Sequence, residues 1–327
     1  VRVVVTGGGG FLGRRIVERC LERGDEVTSV SRGAYPELEA LGVRCVRADL
    51  ADPSPTHGAL EGAELVFHVA AKAGVWGPRR AYVRANVTAT ENVLAACLAH
   101  GVPRLVYTSS PSVCFDGQDH LNAGPDLPYP ASYLAHYPST KAAAERRVLA
   151  ANGADLATVA LRPHLIIGPR DPHLVPRIVA RARSGRLRIV GSGDNLVSLT
   201  HVDNAAEAHL VAAAALEPGA ACAGRAYFVG NEEPVRLWDW LNEVLEGLGV
   251  EPVRRRVSAR TAYGLGALCE GLWTVLRLGG EPPMTRFVAA QLSTSHTYDL
   301  GEFQRATGYR ELVRTAEATR RLIAAGA

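Results

Sequence analysis

The sequence predicts an α/β protein, a doubly wound parallel sheet followed by a smaller, mainly helical C-terminal lobe. Three observations carry that prediction. Residues 3–15 read V-V-V-T-G-G-G-G-F-L-G-R-R, an apolar β-branched run that passes through glycines into a helical repeat. Strand-like and helix-like runs then alternate as far as about residue 165, the pattern of a parallel sheet. Beyond that point the alternation loses its regularity and apolar helical segments dominate.

The first strand rests on Val3, Val4 and Val5, the composition of a strand buried on both faces. Thr6 ends the run, and Gly7 to Gly10 allow a sharp turn without a Cβ clash. Phe11, Leu12, Ile16 and Val17 recur at helical spacing, so a helix begins within the glycines. A helix N-terminus with free N–H groups suits a pyrophosphate, and the strand–turn–helix context makes dinucleotide binding the expectation. Further strands are predicted at 26–31, 44–48, 65–69, 104–109 and 157–162. A long helix is predicted from about 80 to 100, and another beside Pro138, a residue suited to helix starts.

The domain expectation is a dinucleotide-binding unit over 1–165 and a mainly substrate-binding lobe over 166–327, with segments near 195–230 returning to the first. In the lobe, 175–184, 237–248 and 285–291 read as helices and 187–190 as a short strand. The segment 259–278 is long and largely apolar. It is expected first as a helix packed on its own protein, and second as the wall of a greasy pocket or a surface that touches membrane. The last helix, 313–325, carries Arg314, Glu317 and Arg320 and is expected to be structural.

Bulk composition excludes several classes. The chain has 327 residues, 47% hydrophobic and 21% charged, ordinary values for a globular protein. A net charge of +3 is too small and too dispersed to argue for nucleic acid. The six cysteines lie far apart without a CxxC pair, so reduced thiols in a cytoplasmic protein are expected and no metal site. The chain opens at Val1 directly on a strand, so no signal peptide is expected.

Candidate site residues cluster at predicted strand ends. After the second strand comes Ser31-Arg32-Gly33, with no acid to hold a ribose 2′-hydroxyl. An arginine there suits a 2′-phosphate, so NADP(H) is expected, with NAD(H) as the alternative. Asp49-Leu50 follows the third strand, where a carboxylate suits the adenine amine. Small residues Ala70, Ala71 and Ala73 after the fourth would let a cofactor lie against the backbone, and Lys72 is either a loop cation or a partner for a substrate or phosphate oxygen. Asn86, within the following helix, is expected to face solvent. Tyr137 and Lys141 are four apart, so they share one helix face. A lysine beside a phenol lowers its pKa, and such a tyrosine can exchange a proton with a carbonyl oxygen. A serine from the Tyr107-Thr108-Ser109-Ser110 strand end can hold the same oxygen.

With the Gly7-x-x-Gly10-x-x-Gly13 turn, the Thr108-Ser109-Ser110 strand end and the Tyr137-x-x-x-Lys141 pair, the chain resembles an extended short-chain dehydrogenase/reductase. The runs at 68–77, 162–169 and 200–206 are similar to the 3β-hydroxysteroid dehydrogenase branch. The resemblance implies Tyr137 as general acid/base, Lys141 as the group that lowers its pKa and binds the nicotinamide ribose, and Ser110 as the substrate-oxygen partner, with Ser109 as fallback. It brings Arg162-Pro163 to the nicotinamide end of the cofactor. It implies reduction of the 3-keto group of a long-chain 2-alkyl-3-ketoacid, a step of olefin biosynthesis in lipid metabolism. The alternatives are a 3β-hydroxysteroid (sterol-4-carboxylate) dehydrogenase and, third, a nucleotide-sugar epimerase. Epimerases commonly carry asparagine where this chain has His164, which argues against the third; a satisfied core histidine is the ordinary expectation for His164 itself. The implied partners are a hydrophobic substrate bearing a carboxylate, a second copy of the chain, and a peripheral membrane or a pathway enzyme. Trp273, Leu276, Phe287 and Val288 are candidates either to line an alkyl site or, the first expectation for any one of them, to be ordinary lobe core; Lys72, Arg177 and Arg286 are the cations to test against the carboxylate, with an unliganded surface cation as the default.

Overall fold

The structure is a computed structural model describing residues 1–172 and 174–326. Among the described residues the central sheet has seven strands: β1 (Arg2–Thr6), β2 (Glu26–Ser31), β3 (Arg44–Arg47), β4 (Leu65–His68), β5 (Arg104–Thr108), β6 (Ala157–Pro163) and β7 (Arg225–Val229). Their spatial order is β7-β6-β5-β4-β1-β2-β3, and every neighbouring pair is parallel. β1 therefore sits inside the sheet, which is why three consecutive valines are all buried there. The two-residue period splits them: Val3 and Val5 join the core on one face, and Val4 joins the core on the other.

The first face is covered by helices Phe11–Glu22 and Val202–Ala215. The second helix is lined with alanines, Ala205, Ala208 and Ala212 being fully buried, and so lies close. Arg19 donates to Glu207 at 2.8 Å across this pair. Helices Ala89–Ala99 and His136–Ala150 cover the opposite face. Thr6 is level with His68 and with Val30, so the strands share one carboxyl edge, and the site lies along it.

The predicted helix over 80–100 is interrupted. A short helix, Arg79–Tyr82, runs through a π-helical turn, Val83–Thr88, before Ala89–Ala99. The wider turn carries Asn86 inward, so the expectation that it faces solvent is wrong; it is 2% exposed.

The remaining segments form a second core around Trp238, Trp240, Leu241 and Val190. A four-stranded sheet, in the order Val235–Arg236, Leu196–Val197, His296–Tyr298 and His120–Ala123, borders it. The strand His120–Ala123 has no clear sequence signal, because its register is set by His296 rather than by its own alternation. Helix Leu174–Arg183 opens this region, and helix Thr315–Ala325 buries Ala318 and Leu322 against it. The six thiols are all free.

Candidate active site

The glycine turn has the geometry its sequence requires. Gly7 adopts φ +72, and a Cβ there would lie 2.9 Å from the Ala70 Cα. A Cβ on Gly13 would meet the Gly7 carbonyl oxygen at 2.1 Å, so only glycine lets the helix pack on the turn. The first helical bond after the turn runs from Arg14 N to Gly10 O at 2.8 Å. The amides of Phe11, Leu12 and Gly13 are left for a ligand, and no side chain caps the helix. That is an anion cradle at the positive end of a helix dipole.

Thr6 and His68 fasten this turn to the next loop. The Thr6 Oγ1 accepts the amides of Val69 and Ala70 at 3.1 and 3.2 Å and contacts His68 Nδ1 at 2.7 Å. His68 Nε2 meets Thr90 Oγ1 at 2.9 Å, and that hydroxyl donates to the Asn86 carbonyl at 2.6 Å. His68 must then donate from Nε2 and accept from Thr6 at Nδ1. Burial, with the Lys141 charge adding to it, pushes its pKa down to about 3, so it stays neutral. Asn86 completes the loop: it accepts the Lys72 amide at 2.7 Å and donates to the Lys72 carbonyl and to Thr140 Oγ1. A polar residue inside an apolar helical run was its only sequence signal.

A cleft of about 620 Å³ runs along this edge. Gly7, Gly10, Phe11, Leu12 and Gly13 line its floor, and Ser31, Arg32, Asp49 and Leu50 line one end. Ala70, Ala71 and Lys72 border its middle, while Ser109, Ser110, Tyr137, Lys141 and Pro163 stand at the other end. The structure thus brings together every residue singled out for cofactor and proton chemistry except Arg162. Sequence reasoning missed Tyr35, whose ring lies over Gly9, where a Cβ would approach it to 2.2 Å. It also missed Leu165, Ile166 and Leu174, which line the cleft from the lobe side.

At the ribose end, the Ser31 hydroxyl oxygen is buried without a hydrogen-bond partner, while Arg32 is exposed. Asp49 is held below the usual carboxylate range, chiefly by the Ala51 amide and then by Arg84, which also bonds Asp52. An exposed arginine next in sequence to a hydroxyl that is unsatisfied among the described residues, at one end of a cleft floored by the glycine cradle, fits a dinucleotide.

At the far end, Ser110 bonds the half-buried Tyr137 phenol, which favours ionisation, but burial dominates and raises its pKa. The expected lowering by Lys141 is therefore corrected. The lysine is itself buried, which pushes its pKa down to about 7, and its Nζ donates to the Thr108 carbonyl at 2.6 Å. Tyr137 and Lys141 share a helix face, yet the ammonium is turned toward the strand. Ser110 also contacts the Ser112 hydroxyl at 2.9 Å and caps the 3₁₀ turn Pro111–Cys114. The Ser109 hydroxyl is buried and has no hydrogen-bond partner among the described residues.

Of the remaining candidates, Arg162 is corrected, while His164 and Phe287 are core residues, the more ordinary of the readings open to each. Arg162 lies outside the cleft, 3% exposed, forked onto Glu145 at 2.7 and 3.0 Å and bonded to the Pro125 carbonyl. Only Pro163 of that pair reaches the cleft. His164 is a core histidine: its Nδ1 donates to the Ser198 carbonyl, and burial pushes its pKa down to about 4. Trp273, Leu276, Phe287 and Val288 are absent from the cleft wall, Phe287 being buried core and Leu276 exposed. Arg177 pairs with Glu281, and Arg286 with Glu270 at 2.6 Å, so both are engaged by acids.

Comparison with known proteins agrees with this geometry. Residues 4–258 match the model of the 3-beta hydroxysteroid dehydrogenase/isomerase family. The chain is 51% identical to the 2-alkyl-3-oxoalkanoate reductase of Stenotrophomonas maltophilia, over the full length of both. It is 47% identical to the enzyme of that name from Shewanella oneidensis, covering 97% of this chain and 84% of the other. The mouse (Mus musculus) sterol-4-alpha-carboxylate 3-dehydrogenase is 36% identical, over 98% and 90% of the two chains. Among solved structures, gox2253 aligns with a TM-score of 0.80 at 26% identity, covering 99% and 97%. The UDP-glucose 4-epimerase of Thermus thermophilus in complex with NAD aligns at 0.74 and 26%, covering 99% and 98%. With its glycine cradle and its Ser110, Tyr137 and Lys141 along one cleft, and with relatives matched end to end, this chain is an extended short-chain oxidoreductase that belongs to the 3-beta hydroxysteroid dehydrogenase/isomerase family.

Proposed function

We propose that the protein is an NADPH-dependent reductase that converts the 3-keto group of a long-chain 2-alkyl-3-ketoacid to the 3-hydroxy acid, within olefin biosynthesis. The observation that carries the chemistry is the meeting of Ser110, Tyr137 and Lys141 at the end of a cleft that starts on the glycine cradle. The identity to two 2-alkyl-3-oxoalkanoate reductases supports the substrate class over steroids, since the sterol dehydrogenase is more distant.

When bound, the nicotinamide supplies a hydride to the carbonyl carbon. Ser110 holds the carbonyl oxygen, and Tyr137 delivers the proton to it from its phenol. Burial raises the pKa of that phenol, and the phenol is the form that gives up a proton in a reduction. Lys141 stands on the same helix face to stabilise the phenolate left behind. The Phe11, Leu12 and Gly13 amides would hold the pyrophosphate against Ala70 and Ala71, Pro163 would border the nicotinamide end, and Asp49 and Leu50 would take the adenine, all of them residues that line the cleft. Arg32 and the unpartnered Ser31 hydroxyl take the 2′-phosphate, which supports NADP(H) over NAD(H). For the substrate carboxylate the choice falls on Lys72, because Arg177 and Arg286 are engaged by glutamates. Among the described residues Lys72 meets only the Tyr82 ring, 5.1 Å from its centroid, besides its backbone bonds to Asn86.

A panel of a long-chain 2-alkyl-3-ketoacid, a 3-ketosteroid and a UDP-sugar, followed at 340 nm with NADPH and with NADH, tests the proposal. Consumption of NADPH with the ketoacid alone is expected. Turnover of the UDP-sugar without net change in cofactor would overturn it.

A further inference from the structure

The glycine turn holds more glycines than a G-x-x-G-x-x-G pattern requires. Gly9 stands at one of the free positions, and its φ lies outside the left-handed region, so its own backbone does not call for glycine. The ring of Tyr35 does. A Cβ on Gly9 would lie 2.2 Å from the Tyr35 Cζ and 2.3 Å from each Cε, so the hydroxyl-bearing end of the ring occupies the place of a Gly9 side chain. A Cβ on Gly33 would touch the same end of the ring, its phenol oxygen included, at 3.3 Å. Tyr35 is thus set between the glycine turn and the residues that follow β2, half-buried in the cleft wall.

Its backbone is pinned as well. The Tyr35 carbonyl accepts the amides of Leu38 and Glu39 at 2.9 and 3.3 Å, Pro36 opens that short helical turn, and Leu38 is fully buried. A ring held in this way loses little freedom on meeting a ligand. The phenol makes no hydrogen bond among the described residues. The same end of the cleft offers donors. The Ser31 hydroxyl is buried without a partner, Arg32 is exposed, and Arg47 brings a second guanidinium by donating from Nε to the Arg32 carbonyl at 3.0 Å. Two carboxylates of this region are engaged by arginines, Asp49 by Arg84 at 3.2 Å and Glu37 by Arg14 at 3.9 Å. A ribose 2′-hydroxyl calls for a free acid, whereas a 2′-phosphate calls for several donors.

We propose that Tyr35 is a specificity residue of the dinucleotide site, its ring covering Gly9 and its hydroxyl donating to the 2′-phosphate beside Ser31 and Arg32. The inference rests on the NADP(H) reading above. Isothermal titration of the full chain with 2′,5′-ADP and with 5′-AMP tests it without turnover. The wild type is expected to bind 2′,5′-ADP more tightly by at least about tenfold. Tyr35→Phe keeps the ring over Gly9 and removes only the hydroxyl. It should lose about tenfold in affinity for 2′,5′-ADP, stay within about twofold for 5′-AMP, and keep the wild-type melting temperature. Gly9→Ala, whose Cβ displaces the ring, should lose a similar factor for 2′,5′-ADP. A Tyr35→Phe variant that keeps the full preference for 2′,5′-ADP would overturn the role of the hydroxyl and leave the cofactor reading standing. Equal losses for both ligands would also overturn it, leaving Tyr35 as a support for the turn. A wild type that binds 5′-AMP as tightly as 2′,5′-ADP would overturn both the cofactor reading and this role.

Discussion

The Lys141 ammonium donates to the Thr108 carbonyl at 2.6 Å and lies 4.1 Å from the centroid of the Tyr107 ring. One strand end therefore holds the lysine through its backbone, through its aromatic face, and next to the two serines that follow. Burial lowers the lysine's affinity for protons to about 7, so its charge is sensitive to whatever occupies the cleft. Tyr137 and Lys141 are held by helix His136–Ala150 beside the end of β5.

Tyr137→Phe removes the proposed proton donor and little volume. Turnover is expected to fall by about 10²–10⁴-fold while NADPH affinity, read by fluorescence titration, stays close to wild type. Near-normal turnover by this variant would show that another group supplies the proton.

Arg32→Ala separates the two dinucleotides. Loss of a charge-assisted phosphate contact worth roughly 1.5–3 kcal/mol should raise the KM for NADPH by about 10–100-fold and leave NADH almost unaffected. Equal losses for both cofactors would remove Arg32 from the 2′-phosphate.

Glu145→Ala probes the correction made to Arg162. Both side chains are buried, at 0% and 3% exposure, so removing the carboxylate leaves an uncompensated guanidinium inside the protein. A loss of about 3–5 kcal/mol in unfolding free energy is expected. The surviving folded enzyme should keep its cofactor KM; a selective rise in that KM would return Arg162 to the cofactor site.

Acid should unfold the protein through its buried histidines. Burial lowers His164 and His209 to about 4, against 6.5 for the ordinary group. Between those values the unfolded chain binds more protons than the folded one, so stability falls as pH drops from about 6.5 toward 4 and is unaffected above. His209 Nδ1 donates to the Ala205 carbonyl, and Nε2 accepts from Thr108, a geometry that protonation breaks. His209→Gln should flatten part of the decline in melting temperature measured over that range; an unchanged slope would clear His209 of a role.

Much of the fold was legible because its signals are local. Val3 to Val5, the glycines and the helical repeat of Phe11, Leu12, Ile16 and Val17 lie within a few turns of chain, and each restricts its own backbone. The same is true of Tyr137 and Lys141, whose four-residue spacing places them on one face without help from elsewhere. Asn86 was misread because a π turn, which has no plain sequence code, decides which way it points. Arg162 was misread because its partner, Glu145, sits 17 residues earlier on the preceding helix, and nothing beside the Arg-Pro pair announces it.

The sequence by itself determined the doubly wound sheet, the glycine cradle, and the residues that meet at the carboxyl edge, since parallel strands with β-branched cores bring their ends to one side. Only the tertiary structure decided the charge state and direction of those groups. Desolvation raises the pKa of the Tyr137 phenol, the strand end draws Lys141 toward Thr108, and glutamates engage Arg177 and Arg286 while Lys72 lines the cleft. Burial and pairing depend on distances between residues remote in the chain, and those distances exist only once the chain has folded.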